Sequence, residues 1–145
     1  MQRKILSCKE GFTLIEVLVA LSIFAIGLLA IAQMQMTALK SNSYAYSLTA
    51  INAVAAGIVE EIISWPPEDP RLVANGTHAW DFDPTATVQT VLPIQGGGNF
   101  TAEYTIAADT PLAKMTTFTV EVEATGVLKA SGLKNKTVTY LKKTQ

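Results

Sequence analysis

The sequence predicts an α+β protein in which one long N-terminal helix packs on a small antiparallel sheet of three to four strands. Residues 12–32 form an apolar run that contains a single charge. Helical spacing of apolar residues then continues to Ser64, and after Thr85 apolar and polar residues alternate with a period of two. With 145 residues, the chain is long enough for one small head beyond the helix.

The N-terminal helix is predicted to cross a membrane once. Its 21 residues from Phe12 to Ala32 would reach about 31 Å, enough to span a hydrocarbon core of about 30 Å. Arg3, Lys4 and Lys9 precede the apolar run, which places the N-terminus in the cytoplasm and the C-terminus outside. A secretory signal has its cleavage site after the apolar region, so this helix would be retained.

Glu16 is the single charge within the apolar run. A carboxylate in hydrocarbon costs several kcal/mol, which argues that Glu16 has a specific partner. The alternative is a carboxylate that is stabilised by the helix dipole and reaches the lipid headgroups.

The stretch from Lys9 to Ala32, KEGFTLIEVLVALSIFAIGLLAIA, resembles the class III leader and transmembrane segment of type IV pilins and of secretion-system pseudopilins. The resemblance implies that a membrane aspartyl peptidase cuts after Gly11 and methylates the new amine of Phe12. It also implies that Glu16 sets subunit register by pairing with the amine of a neighbouring subunit. Residues 1–11 would be the leader, and they contain the sole cysteine, Cys8.

Residues 33–64 are predicted to continue the helix with an amphipathic half. Its apolar stripe has spacings of three and four residues and consists of Tyr44, Leu48, Ile51, Ala55, Ile58 and Ile62. The helix should end before Pro66 and Pro67, because proline lacks the backbone donor and clashes with the preceding turn.

Residues 65–85 are predicted to be a connecting loop, with turns at Asn75-Gly76 and Asp83-Pro84. His78 is expected to be a loop histidine, and we expect no metal site there. Trp65 and Trp80 are expected to cover the core of the sheet.

Residues 86–145 are predicted to form the sheet, with strands at Val88 to Ile94, Phe100 to Ile106, Phe118 to Ala124 and Val138 to Tyr140. A flexible hairpin turn is expected at residues 96–99, and a basic tail at Lys142-Lys143.

The resemblance implies a ladle-shaped subunit that is held in the bacterial inner membrane and then assembled into a helical filament at the cell surface. Its partners would be other pilin subunits, the prepilin peptidase, an inner-membrane assembly platform and, before assembly, lipid. The run from Gly27 to Gln33 and the helix end at Glu60-Glu61-Ile62 are most similar to minor pilins of the PilV type. The alternatives are a minor pseudopilin of a type II secretion system and a signal-anchored periplasmic binding domain.

Several function classes are not expected. A single histidine, no cysteine after the leader and no GxSxG or P-loop string argue against an enzyme and against a cofactor. The net charge of -1, with no basic stripe, argues against a nucleic-acid partner.

Overall fold

The computed structural model describes residues 11–85, 87–126 and 132–144. Of the predicted leader at residues 1–11, residues 1–10, with Cys8, lie outside the described residues. The chain divides into two compact units, residues 1–40 and residues 41–145. One helix, α1 (Leu14–Ser64), is followed by a 3₁₀ helix (Pro70–Leu72) and by five strands: β1 (Gly76–Ala79), β2 (Val91–Ile94), β3 (Gly98–Ala107), β4 (Met115–Thr125) and β5 (Lys136–Lys143).

Helix α1 has 51 residues and ends directly before Trp65, as the two prolines predicted. Within residues 41–64, one face of the helix packs on the sheet. The buried residues of that face are Ser47, Ala50, Ile51, Ala55, Ile58, Val59 and Ile62. Two residues of the predicted stripe are exceptions, because Tyr44 and Leu48 remain 38% and 37% exposed. The small side chains of Ser47 and Ala50 are buried in the contact instead.

The sheet is antiparallel, with five strands instead of the predicted three or four. Its order is β1-β3-β4-β5, and β2 also pairs with β3. The additional strand, β1, lies within the stretch predicted to be a loop, and its His78 pairs with Tyr104 in register. His78 is therefore a strand residue, contrary to the prediction.

Strand β2 begins at Val91, three residues later than predicted. Gln89, which was predicted to lie in this strand, bonds to an earlier part of the chain instead: Phe82 N donates to the Gln89 carbonyl at 2.9 Å. Gln89 N in turn donates to Asp81 Oδ1 at 2.9 Å. These bonds hold Gln89 beside Asp81 and Phe82, so that the pairing of β2 with β3 begins only at Val91.

The core lies between the helix face and the inner side chains of β3 and β4. Register places Phe100 opposite Ala124, Ala102 opposite Val122, and Ile106 opposite Phe118. The alternation of apolar and threonine or glutamate residues predicted this arrangement, because alternate residues of a strand face opposite sides of the sheet.

Gly97 is a packing residue, whereas the sequence suggested only a flexible turn at residues 96–99. It is buried, and a Cβ at this position would lie 3.0 Å from Ile94 Cγ2, 3.2 Å from Tyr46 Cε1 and 3.3 Å from Ala50 Cβ. The absent side chain therefore lets the β2–β3 turn approach the helix.

Lys142 belongs to β5 and not to a tail. Its Nζ donates to the carbonyl oxygens of Ile62 at 3.0 Å and of Ile63 at 2.7 Å, and also to that of Trp65. Ile62 and Ile63 belong to the last turn of α1 and Trp65 follows it directly, where a helix leaves acceptors without intrahelical partners. The last strand thus caps the long helix.

Candidate functional site

The first candidate site is the start of α1. Gly11, Phe12 and Thr13 lie outside the helix, and the Phe12 side chain is 83% exposed. Thr13 occupies the N-cap position: Glu16 N donates to Thr13 Oγ1 at 3.3 Å and to the Thr13 carbonyl at 3.1 Å. Val17 N donates to the same carbonyl at 3.3 Å. Thr13 therefore fixes where the helix begins.

Glu16 lies in the first turn of α1, where the positive end of the helix dipole favours a carboxylate. It shares a helix face with Ala20 and Phe24, which follow at intervals of four residues. From residue 11 to residue 39 the sequence contains no lysine, arginine or histidine. No basic side chain of residues 11–39 can therefore neutralise Glu16.

The other residues of α1 up to Leu39 are exposed and mostly apolar. The helix is long and apolar enough to cross a membrane, by length and composition. Its polar side chains bond back to the helix: Ser22 Oγ donates to the Leu18 carbonyl at 2.8 Å, and Thr37 Oγ1 to the Gln33 carbonyl at 3.0 Å. Such bonds satisfy hydroxyl groups that have no water to bond in an apolar environment. Glu16 is thus the one charged group of residues 12–39.

The second candidate site is an aromatic cluster in the head. Trp65 and Trp80 are each 7% exposed and stack in parallel, with ring centroids 6.2 Å apart. Tyr104 meets both rings edge-on at 5.8 Å. The Arg71 guanidinium lies 3.7 Å above the Trp65 ring, a cation–π contact. The prediction that both tryptophans cover the core is confirmed.

Charges around this cluster are mutually compensated. Arg71 forms two side-chain hydrogen bonds with Asp69, at 2.9 and 2.8 Å. These bonds lower the pKa of Asp69 to about 2, and in return they raise the pKa of Arg71. Burial raises the pKa of the Tyr104 hydroxyl and lowers that of the Lys142 ammonium.

The cavity beside the cluster has a volume of about 140 Å³ and is bounded by Glu61, Asp81, Pro84 and the aromatic rings. Asp81 Oδ1 is engaged by the backbone N–H groups of Asp83 and Gln89. In the described ranges, no group of three or more His, Cys, Asp or Glu side chains is placed to hold a metal ion. We therefore interpret the cluster as the structural link between the 65–85 segment and the sheet.

The sequence prediction named Gly11, Phe12 and Glu16, and all three lie at the start of α1. It did not identify Thr13, although Thr-x-x-Glu before an apolar run is a known signature of a helix N-terminus. It also did not identify Lys142, for which the sequence has no local signal, because the carbonyls it contacts are about 80 residues away.

A family profile described as the prokaryotic N-terminal methylation motif matches residues 6–32. No curated protein and no solved structure matches the chain. The matched segment contains the start of α1 with Gly11, Phe12 and Glu16. Beyond the match, the C-terminal part of α1 packs on an antiparallel sheet, which is consistent with a pilin-like fold. The motif indicates a type IV pilin-like or pseudopilin protein, of the kind that is processed by a prepilin peptidase and assembled with other pilins.

Proposed function

We propose that the protein is a structural subunit, a minor pilin, of a type IV pilus. The observation that carries this proposal is the methylation motif at residues 6–32, in which the apolar stretch from Phe12 onwards holds one carboxylate, Glu16, and no basic side chain. Pilins are structural and not catalytic, so the chemistry at this site would be carried out by the peptidase.

In this proposal the peptidase cleaves the bond between Gly11 and Phe12 and methylates the Phe12 amine. Support comes from the position of this bond, which precedes the helix in exposed, non-helical chain. A protease needs such access to both sides of a peptide bond. The charged amine of one subunit then pairs with Glu16 of its neighbour, which offsets the cost of burying each charge alone.

Before assembly, the apolar part of α1 anchors the subunit in the inner membrane, with the head on the periplasmic side. An inner-membrane assembly platform then transfers it into a filament at the cell surface. Because the same contact repeats between different surfaces of successive subunits, it produces an open helical stack.

The second candidate is a minor pseudopilin of a type II secretion system, which the same motif favours equally. The PilV-like features, the run from Gly27 to Gln33 and the helix end at Glu60-Glu61-Ile62, support the pilus. Recovery of the subunit from sheared surface pili supports the pilus, whereas secretion loss on deletion, without the subunit in pili, supports the pseudopilus.

Two substitutions test the site. Gly11→Val should block processing, because a branched side chain does not fit where the peptidase accepts glycine, and the uncleaved chain should accumulate in the membrane. Glu16→Ala should be inserted and cleaved normally, yet its recovery in sheared filaments should fall. Normal cleavage of the first variant, or parental filament recovery of the second, contradicts the corresponding role.

A further inference from the structure

Two troughs on the surface of α1 adjoin the Glu16 side chain. The larger has a volume of about 590 Å³, and the smaller has about 370 Å³. Both include Glu16 and Ala20, while the bulky walls are formed by Phe12, Val17, Leu21 and Phe24 on one side and by Ile15, Val19 and Ile23 on the other. Glu16 and Ala20 therefore border both troughs, and apolar side chains flank the pair on either side.

The size of the side chain at position 20 determines how accessible the Glu16 carboxylate is. Helical side chains lean towards the N-terminus and lie over the residue four positions earlier. A side chain at position 20 consequently covers position 16. The alanine methyl is too short to reach the Glu16 carboxylate, whereas a leucine would extend over it. The sequence thus has a small side chain at the position that controls access to its one intramembrane charge.

We propose that Ala20 keeps Glu16 open to the positively charged N-terminal amine of a neighbouring subunit and thereby determines whether that subunit can dock. Charge complementarity identifies the occupant as a cation, since residues 11–39 contain no basic side chain, and the proposed function supplies this cation as the freed Phe12 amine of a neighbouring subunit. The apolar ridges of the troughs match the aromatic side chain that accompanies this amine at Phe12. The inference rests on the proposed function and adds to it a residue that selects the docking subunit by size.

The test compares Ala20→Leu with Ala25→Leu in the full chain, coexpressed with the untagged parent in cells that process and assemble it. Ala25 lines neither trough, so its substitution adds the same apolar volume away from Glu16. We expect both variants to be inserted and cleaved like the parent. Ala20→Leu should be incorporated into sheared filaments at least about tenfold less, because an unpaired buried charge is strongly unfavourable. Ala25→Leu and Ala20→Ser should remain within about twofold of the parent.

A double variant distinguishes blocked access to Glu16 from a general packing defect caused by the larger side chain. In a Glu16→Gln background, Ala20→Leu should cause little further loss, because the interaction that it obstructs is already absent. Equal incorporation of Ala20→Leu and Ala25→Leu overturns the proposal. So does the same fractional loss from Ala20→Leu with and without Glu16. If the parent chain itself is never cleaved or never reaches filaments, the proposed function fails instead.

Discussion

Replacing Lys142 by methionine should destabilise the head by about 2 kcal/mol. The lysine Nζ donates to the carbonyl oxygens of Ile62 and Ile63 in the last turn of α1 and to that of Trp65 directly after it. A hydrogen bond from a charged donor stabilises by about 1.5–3 kcal/mol. The positive charge at a helix C-terminus adds up to about 2 kcal/mol. Fixing a lysine side chain opposes these gains by about 1.5–2 kcal/mol. Burial of the ammonium, which lowers its pKa, opposes them as well.

Methionine retains most of the apolar part of the lysine side chain but has no hydrogen-bond donor. The variant therefore tests the hydrogen bonds to the helix end separately from the packing of the side chain. The assay is thermal unfolding of the full chain in detergent, followed by tryptophan fluorescence, since Trp65 and Trp80 both lie in the head. A loss of about 2 kcal/mol should lower the midpoint by roughly 10 °C.

Lys143→Met is the matched control. Lys143 is adjacent and exposed, and in the described part of the chain its ammonium has no hydrogen-bond partner. Its removal should change stability by less than about 0.5 kcal/mol. Equal midpoints for the two variants would refute the cap.

Two further predictions concern the head. Gly97→Ala should destabilise it by about 1–3 kcal/mol, because the new methyl would overlap Ile94 and Tyr46. Gly57→Ala, on a helical surface with no atom within 4 Å of the new methyl, should instead stabilise by about 0.5–1 kcal/mol. Urea unfolding of both variants distinguishes these signs, and a stabilising Gly97→Ala contradicts the contact. Asp69 has its pKa lowered to about 2 by Arg71, so its contribution to stability is complete above the unfolded pKa near 4 and is lost as the pH falls towards 2. Asp69→Asn should remove this part of the acid dependence of the midpoint, and an unchanged dependence rules out the pair.

Sequence patterns within each segment were sufficient to predict the large elements of the fold. The prolines at 66 and 67 end α1 where predicted, and the alternation in β3 and β4 places the core residues correctly. The motif around Gly11 and Glu16 identified the candidate site, because its signal is contiguous in the sequence.

The features that were missed depend on contacts between distant residues. Strand β1 has only four residues, begins at a glycine and becomes a strand by pairing with β3 about 30 residues later. The role of Gly97 depends on Tyr46, and that of Lys142 on the end of α1. No local periodicity or turn signal in the sequence indicates which lysine or glycine contacts the helix.

The proposed function is tested most directly by the N-terminal residue of the chain isolated from cells with an active prepilin peptidase, measured by intact mass and terminal sequencing. A processed subunit starts at Phe12 and carries a methyl group on its amine. A chain that still begins with Met1 under these conditions would contradict the proposed function.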